Sequence, residues 1–280
     1  MIDMKIFCMC LYDHHIKNLE NLNYIPVGLG ENNFSNEWLR DNTGDNISHK
    51  NSYYGEYSFY YWFWKNFLKT FDDRTWIGFT GYRYHWAQNN DMHSDKLNEI
   101  INKDNFEKHV LRRLPAEWNN FDVILGEKMI INNWKISKII KHAKKKFFLN
   151  PKNFKKSNQN IKLHFDVFHG DGLLDKAIDV LDKSEKNDFK EFVLQENSFN
   201  RENLFFCRSK KIMEQYFKSV FYWLKECENI FGFDLHGYSN TRIYAFLAER
   251  YLSYWFNKYT QPKTWPIFFF DTNANKIKIS

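Results

Sequence analysis

Arg74-Thr75-Trp76-Ile77-Gly78-Phe79-Thr80 runs without a break into Gly81-Tyr82-Arg83-Tyr84-His85-Trp86. The first piece is a short apolar run bounded by polar residues, the length of a buried strand. The second crowds Arg, His and Tyr directly beyond that strand's carboxyl end, where open α/β sheets bind their ligands. Arg83 can donate two parallel hydrogen bonds to phosphate oxygens, and Tyr82, Tyr84 and His85 add polar edges on flat rings. An exposed basic loop with aromatic packing accounts for the same letters.

Working outward, Lys5 to Leu11 reads as an opening buried strand, followed by a polar loop or short helix from Asp13 to Asn23. Ile25-Pro26-Val27-Gly28-Leu29-Gly30 is a second apolar piece, without the GxGxxG spacing of a dinucleotide loop. Tyr53 to Phe67 is densely aromatic and of helical length, Ser94 to Arg113 looks helical, and Phe121 to Leu125 is another strand. Past Pro151 the pattern turns helical at 158–168, 172–183, 209–230 and 239–259, interrupted by strand-like Leu204-Phe205-Phe206-Cys207 and closed by a strand over Trp265 to Phe270. This is an α/β chain with a mainly helical C-terminal half. With no repeat and no low-complexity linker, the 280 residues form one domain, α/β over about 1–150 and mainly helical over about 151–280.

Hydrophobic residues at 43% and charged residues at 26% describe a folded globular chain rather than a disordered one. The net charge of +6 suits an anionic partner without choosing among them. The densest basic stretch, Lys141 to Lys156 with Lys144, Lys145, Lys146, Lys152 and Lys155, is either a solvated face or a contact for a membrane surface or lipid-linked acceptor. Cys8, Cys10, Cys207 and Cys227 contain no CxxC pair; Cys8 and Cys10 share a strand face as small core residues, which fits a reducing compartment. No run approaches the ~18 apolar residues of a membrane span. A cytoplasmic protein is expected, free or peripheral on the cytoplasmic face of the inner membrane.

Four further segments carry chemical groups. Arg40-Asp41-Asn42-Thr43-Gly44-Asp45-Asn46-Ile47-Ser48 packs carboxylates, carboxamides and hydroxyls around a glycine, a surface able to grip sugar hydroxyls or a base edge; an Asx-rich turn capping the next helix has the same composition. Asp122 sits in its short strand, and Phe165-Asp166-Val167-Phe168-His169-Gly170-Asp171-Gly172 offers Asp166, His169 and Asp171 as acid/base groups, or simply a glycine-terminated helix. In Asn240 to Tyr251, Tyr244, Leu247 and Tyr251 form a packing stripe. The chain contains no Asp-x-Asp, the pair with which many nucleotide-sugar transferases hold a divalent cation, and no P-loop, HExxH, GxSxG or zinc-type spacing.

Taken in order, the 40–48 turn with Asn51, Tyr61-Trp62-Phe63-Trp64-Lys65-Asn66, Ile77-Gly78-Phe79 leading to Tyr82-Arg83-Tyr84, Asp122-Val123-Ile124-Leu125, and Arg242 to Arg250 resemble the bacterial family known as domain of unknown function 4422. That family is grouped with capsular and exopolysaccharide glycosyltransferases, and the resemblance spans about residues 25–258. It implies a GT-A-like, Rossmann-like nucleotide-sugar-binding core. Donor contacts would come from Asp41, Asn42, Gly44, Asp45, Asn46, Ser48, Lys65 and Asn66, with Tyr82, Arg83 and Tyr84 standing where a metal motif would sit. The family pattern reads His-Tyr-Arg-Arg-Tyr; Gly81 replaces its first His and Tyr84 its second Arg, with His85 a partial substitute.

The activity so implied is glycosyl transfer, hexosyl or a related sugar, from a nucleotide sugar, UDP foremost, to an oligosaccharide or lipid-linked glycan acceptor of a capsular or other surface polysaccharide. Arg83, with His85, would stabilise the departing diphosphate in place of or alongside a Mn²⁺ or Mg²⁺ ion. Asp122, Asp166 and His169 would be examined for the acid/base group. Other classes keep their place: a non-catalytic polysaccharide-assembly protein, or a transferase of a non-sugar substituent onto capsule. Nucleic acid is not expected as a partner, since no RRM, KH, OB or helix-turn-helix signature is present.

Overall fold

A computed structural model describes residues 3–16, 20–131, 155 and 158–271. All but Lys155 of the named lysines between 141 and 156 lie outside the described residues. Among the described residues the strands are β1 (Met4–Cys10), β2 (Ile25–Gly28), β3 (Leu39–Arg40), β4 (Trp76–Gly81), β5 (Tyr84–Trp86), β6 (Val123–Gly126), β7 (Lys128–Ile130), β8 (Ser198–Asn200), β9 (Phe205–Cys207), β10 (Lys263–Trp265) and β11 (Ile267–Phe269). By contacts the described residues fall into two compact units, the first within 1–127, 202–218 and 256–280, the second within 128–201 and 219–255. This interleaved division does not coincide with a partition near residue 150.

The first unit is built on a seven-stranded sheet in the order β10-β6-β9-β4-β1-β2-β3. β3, β2, β1 and β4 run parallel, β10 runs parallel to β6, and β9 is inserted antiparallel between β4 and β6. Strands covered on both faces must be apolar at every position, hence the uninterrupted Ile6 to Cys10 and Trp76 to Phe79. Along β4 the pleat sends Phe79 to one face, with Phe7, Phe59 and Phe63, and Trp76 to the other, with Trp118. Both cores are aromatic, and a two-strand ribbon of β5 and β11 accompanies the sheet.

Gly78 lets this second face close. It pairs with Phe206 on β9, and a Cβ on it would lie 1.9 Å from the Phe206 ring. Gly78→Ala is therefore expected to cost about 3 kcal/mol, the upper range for overpacking, because neither the central strand nor a ring packed on Trp86 and Trp118 can withdraw. A denaturant midpoint equal to that of the wild type would contradict it.

The second unit holds the helices Ile161–His169, Leu173–Asp179 and Lys183–Gln195, parts of Lys210–Phe231 and Ile243–Tyr259, and the β7–β8 pair. Asn160 and Asp182 cap the first and third of these helices with their side chains. Phe189 packs among Trp223, Tyr251 and Tyr254, and the expected stripe of Tyr244, Leu247 and Tyr251 is fully buried.

Candidate active site

Parallel strands deliver their carboxyl ends to one edge of the sheet, and in the first unit the polar residues collect there. Past β1 come Tyr12, Asp13, His14 and His15; past β4 comes the Tyr82–Arg83 turn. The Tyr82 amide donates to the Met9 carbonyl at 3.2 Å, holding the two ends together, and the His15 ring lies flat on the Tyr82 ring at 3.7 Å. The Arg83 guanidinium sits 4.8 Å from the centre of the same phenol ring, and its carbonyl accepts from the Phe270 amide at 2.8 Å. The residue is half-buried, and its guanidinium makes no hydrogen bond or ion pair with the described residues. The turn thus presents a cation held by its backbone and by one ring face, with its donor edge unspent.

Position beyond the carboxyl end of β1 would have singled out Tyr12, His14 and His15, which composition did not. His15 is 7% exposed; burial, helped by His14 and Arg83, pushes its pKa down to about 4. His85, wholly buried against Phe106 and Phe268, is likewise pushed down to about 4 by burial, which outweighs the Phe270 and Tyr82 carbonyls. Both folded values lie below the unfolded value of about 6.5, so in between the unfolded chain binds more protons, and stability falls as the pH falls through that window. Melting temperatures should decline from pH 6.5 to 5, above the range of ordinary carboxylates; a flat profile would sink the expectation.

The 40–48 turn follows β3 on the same edge, but most of its polar groups are committed to the fold. Asp41 is 0% exposed: one oxygen accepts from the Gly30 amide (2.8 Å), the other from the Ser58 hydroxyl (2.6 Å). Burial raises its pKa against those two bonds and the charge of Arg40. Gly44, at φ +56, passes so close to Asn66 that a Cβ would meet its Oδ1 at 2.3 Å, while Asn66 and Asp45 exchange hydrogen bonds of 3.1 and 2.8 Å. Asn46 and Ser48 bond each other, and Ser48 also donates to Glu31. Asn42 is exposed, and exposed Lys65 rests its ammonium 3.8 Å over the Trp64 ring. Asn66 and Lys65 sit on a π-helical turn, Phe63–Phe67, that interrupts the expected helix and aims Asn66 at the 44–45 backbone.

The other sequence candidates lie elsewhere. His85 faces the core rather than the carboxyl edge, its Nε2 3.3 Å from the Phe270 carbonyl, so it does not stand in for a second phosphate-binding group. Tyr84, its neighbour in β5, packs edge-on against Phe269. Asp122 precedes β6, at the amino edge of the sheet, where it forms an ion pair with Arg208 at 2.8 Å and lines a cleft with Asp73, Arg74, Ser209 and Lys211; the direction of β6 puts it at the wrong end for a donor held beyond the carboxyl ends. In the second unit, Asp166 pairs with Lys162 (2.8 Å) and accepts from the Gly172 amide. His169 stacks on Phe246 at 3.9 Å and meets Arg250 through Nε2 at 3.2 Å; burial and the Arg250 charge push its pKa far down. Arg250 itself is 1% exposed, beside Glu249 and His164.

Among the described residues no group of three or more His, Cys, Asp and Glu is placed to hold a metal ion. The Tyr82–Arg83 turn offers a phenol and a guanidinium, a donor set that does not fit a divalent cation.

Strand order and the antiparallel insertion define a mixed α/β fold built on a mostly parallel seven-stranded sheet. The apo structure of the bifunctional glycosyltransferase WbbM shares it, with a TM-score of 0.69 and 20% identity over 95% of this chain; the chain spans 45% of that protein's length. The chain belongs to the family described as Domain of unknown function (DUF4422), which it matches over residues 5–261. No curated protein matches it. No helix among the described residues is long and apolar enough to cross a membrane.

Proposed function

We infer that the protein is a glycosyltransferase that moves a hexosyl or related sugar from a nucleotide donor, a UDP-sugar first, to a glycan acceptor of a capsular or other surface polysaccharide at the cytoplasmic face of the membrane. The observation that carries this reading is the Arg83 guanidinium, stacked on Tyr82 beyond the carboxyl end of β4 with its donor edge unspent. A fixed guanidinium facing the diphosphate stabilises the charge that develops on the leaving group, without reorganising as the bond breaks. Tyr82 and Tyr84 border the same turn; Asn42 and Lys65 are exposed polar groups of the 40–66 region. The likeness to a bifunctional glycosyltransferase and the family's grouping support the class.

The test is release of nucleoside diphosphate from UDP-, GDP- and dTDP-sugars, with Mn²⁺, Mg²⁺ or EDTA, alongside direct donor binding. Release that survives EDTA is expected. Donor binding without glycosyl transfer to any acceptor would favour a transferase of another group, and absence of donor binding would sink the reading.

A further inference from the structure

Glu127 is the first residue beyond the carboxyl end of β6. One of its oxygens accepts from both the Ser94 amide (2.8 Å) and the Ser94 hydroxyl (2.6 Å), and the other faces His93 Nδ1 at 2.6 Å. The Ser94 hydroxyl in turn accepts from the Ile267 amide at 3.1 Å, and the Glu127 amide donates to the Trp265 carbonyl, so the carboxylate is fastened to β10 and β11. Burial alone would raise the Glu127 pKa, but the Ser94 hydroxyl and amide and His93 together hold it below the usual range. Opposite a carboxylate, His93 Nδ1 carries the proton and donates it, which leaves the Nε2 lone pair pointing away.

Capping of the helix Ser94–Ile100 explains the Glu127–Ser94 bonds but not His93. That side chain is 85% exposed, while its partner is 23% exposed. Its position matters: β6 and β4 are separated only by β9, so the pair lies about 10 Å, two strand spacings, from the Tyr82–Arg83 turn along the same carboxyl edge. β11 links the two places, taking Phe270 to the Arg83 carbonyl at one end and Ile267 to Ser94 at the other.

We propose that His93 is the general base that accepts the proton of the incoming acceptor hydroxyl, with Glu127 as its positioning residue. The proposal rests on the transferase reading. The Nε2 lone pair takes the hydroxyl proton as an oxygen lone pair bonds to the anomeric carbon; the bond from that carbon to the diphosphate oxygen breaks, and its electron pair leaves with the diphosphate beside Arg83. Glu127 stabilises the imidazolium until it loses the proton to water. One displacement with one base inverts the anomeric configuration.

The experiment uses the full chain, whichever nucleotide sugar the donor panel selects, and water or a panel of alkyl glycosides as acceptor. His93→Ala is expected to lower kcat by about 10²–10⁴-fold, the usual range for a general base, with donor Kd unchanged and activity partly restored by imidazole in solution. Glu127→Gln should lower kcat with KM and donor Kd unchanged. Wild-type kcat in His93→Ala, or a loss that imidazole does not relieve, overturns the proposal while leaving the transferase standing. If neither wild type nor variant binds any donor, the transferase reading falls and the base goes with it.

Discussion

Arg83→Ala lowers kcat for nucleoside diphosphate release by about 10²–10³-fold, the effect of removing one fixed donor from a developing oxyanion. The size reflects how the side chain is held. Its carbonyl is tied to Phe270 and its guanidinium rests on Tyr82, which is itself stacked on His15, so the cation is in place before the donor arrives. Arg83→Lys should recover only part of the loss, because an ammonium keeps the charge but neither forks to two oxygens nor lies flat on a phenol. Single-turnover release with the selected donor, together with calorimetric nucleotide affinity, measures both variants. Wild-type activity in Arg83→Ala would remove the central support of the functional reading.

Asp41→Ala destabilises the fold by about 2 kcal/mol, since stranding the buried Gly30 amide costs about 1–3 kcal/mol, while the Ser58 hydroxyl keeps its longer bond to the Gly55 carbonyl at 3.1 Å. Asp41→Asn keeps the shape and an acceptor for Gly30, and its amide can donate to Ser58, so it should be far milder. The pair of variants separates two roles. A buried anchor loses stability on truncation and tolerates the isostere. A donor contact would lose nucleotide affinity in both variants with little change in the denaturant midpoint, and that outcome would overturn the structural role.

The long elements are visible in the sequence because their signals are local. Strands covered on both faces are apolar throughout, and the pieces over Lys5–Leu11, Ile25–Gly30, Arg74–Thr80 and Phe121–Leu125 form β1, β2, β4 and β6. The helices over 209–230 and 239–259 obey their periodicity with small shifts, the latter broken at Arg242. Of the strands of two or three residues, β9 and β11 lie in the apolar runs Leu204–Cys207 and Trp265–Phe270, whereas β3 and β5 carry no pattern of their own and are made by distant partners. Ser94 to Arg113 breaks because Asn102 turns its side chain onto the Asp104 and Asn105 amides, which competes with helical bonding. The helix Lys183–Gln195 escapes the periodicity reading, although Asp182 is a cap and Phe189 and Val193 are spaced four apart.

For the site, the sequence placed Tyr82 and Arg83 by a rule about strand ends, and the rule needs only a strand and the few residues just beyond it. It could not separate Asp41, which is sealed by Gly30 and Ser58, from exposed Asn42 beside it, since burial depends on residues 11 and 17 positions away. Nor could it send Asp122 to the amino edge, bury His85, or bring His93 to Glu127 across 34 residues. By itself the sequence determined which segments are buried strands and helices and which turn places a cation just beyond a strand, because hydrophobic periodicity and residue type act over a few neighbours. The direction of each strand, the insertion of β9, and hence which polar groups share an edge and which are buried, were decided only by tertiary structure, because pairing and burial join residues whose local sequences carry no record of one another.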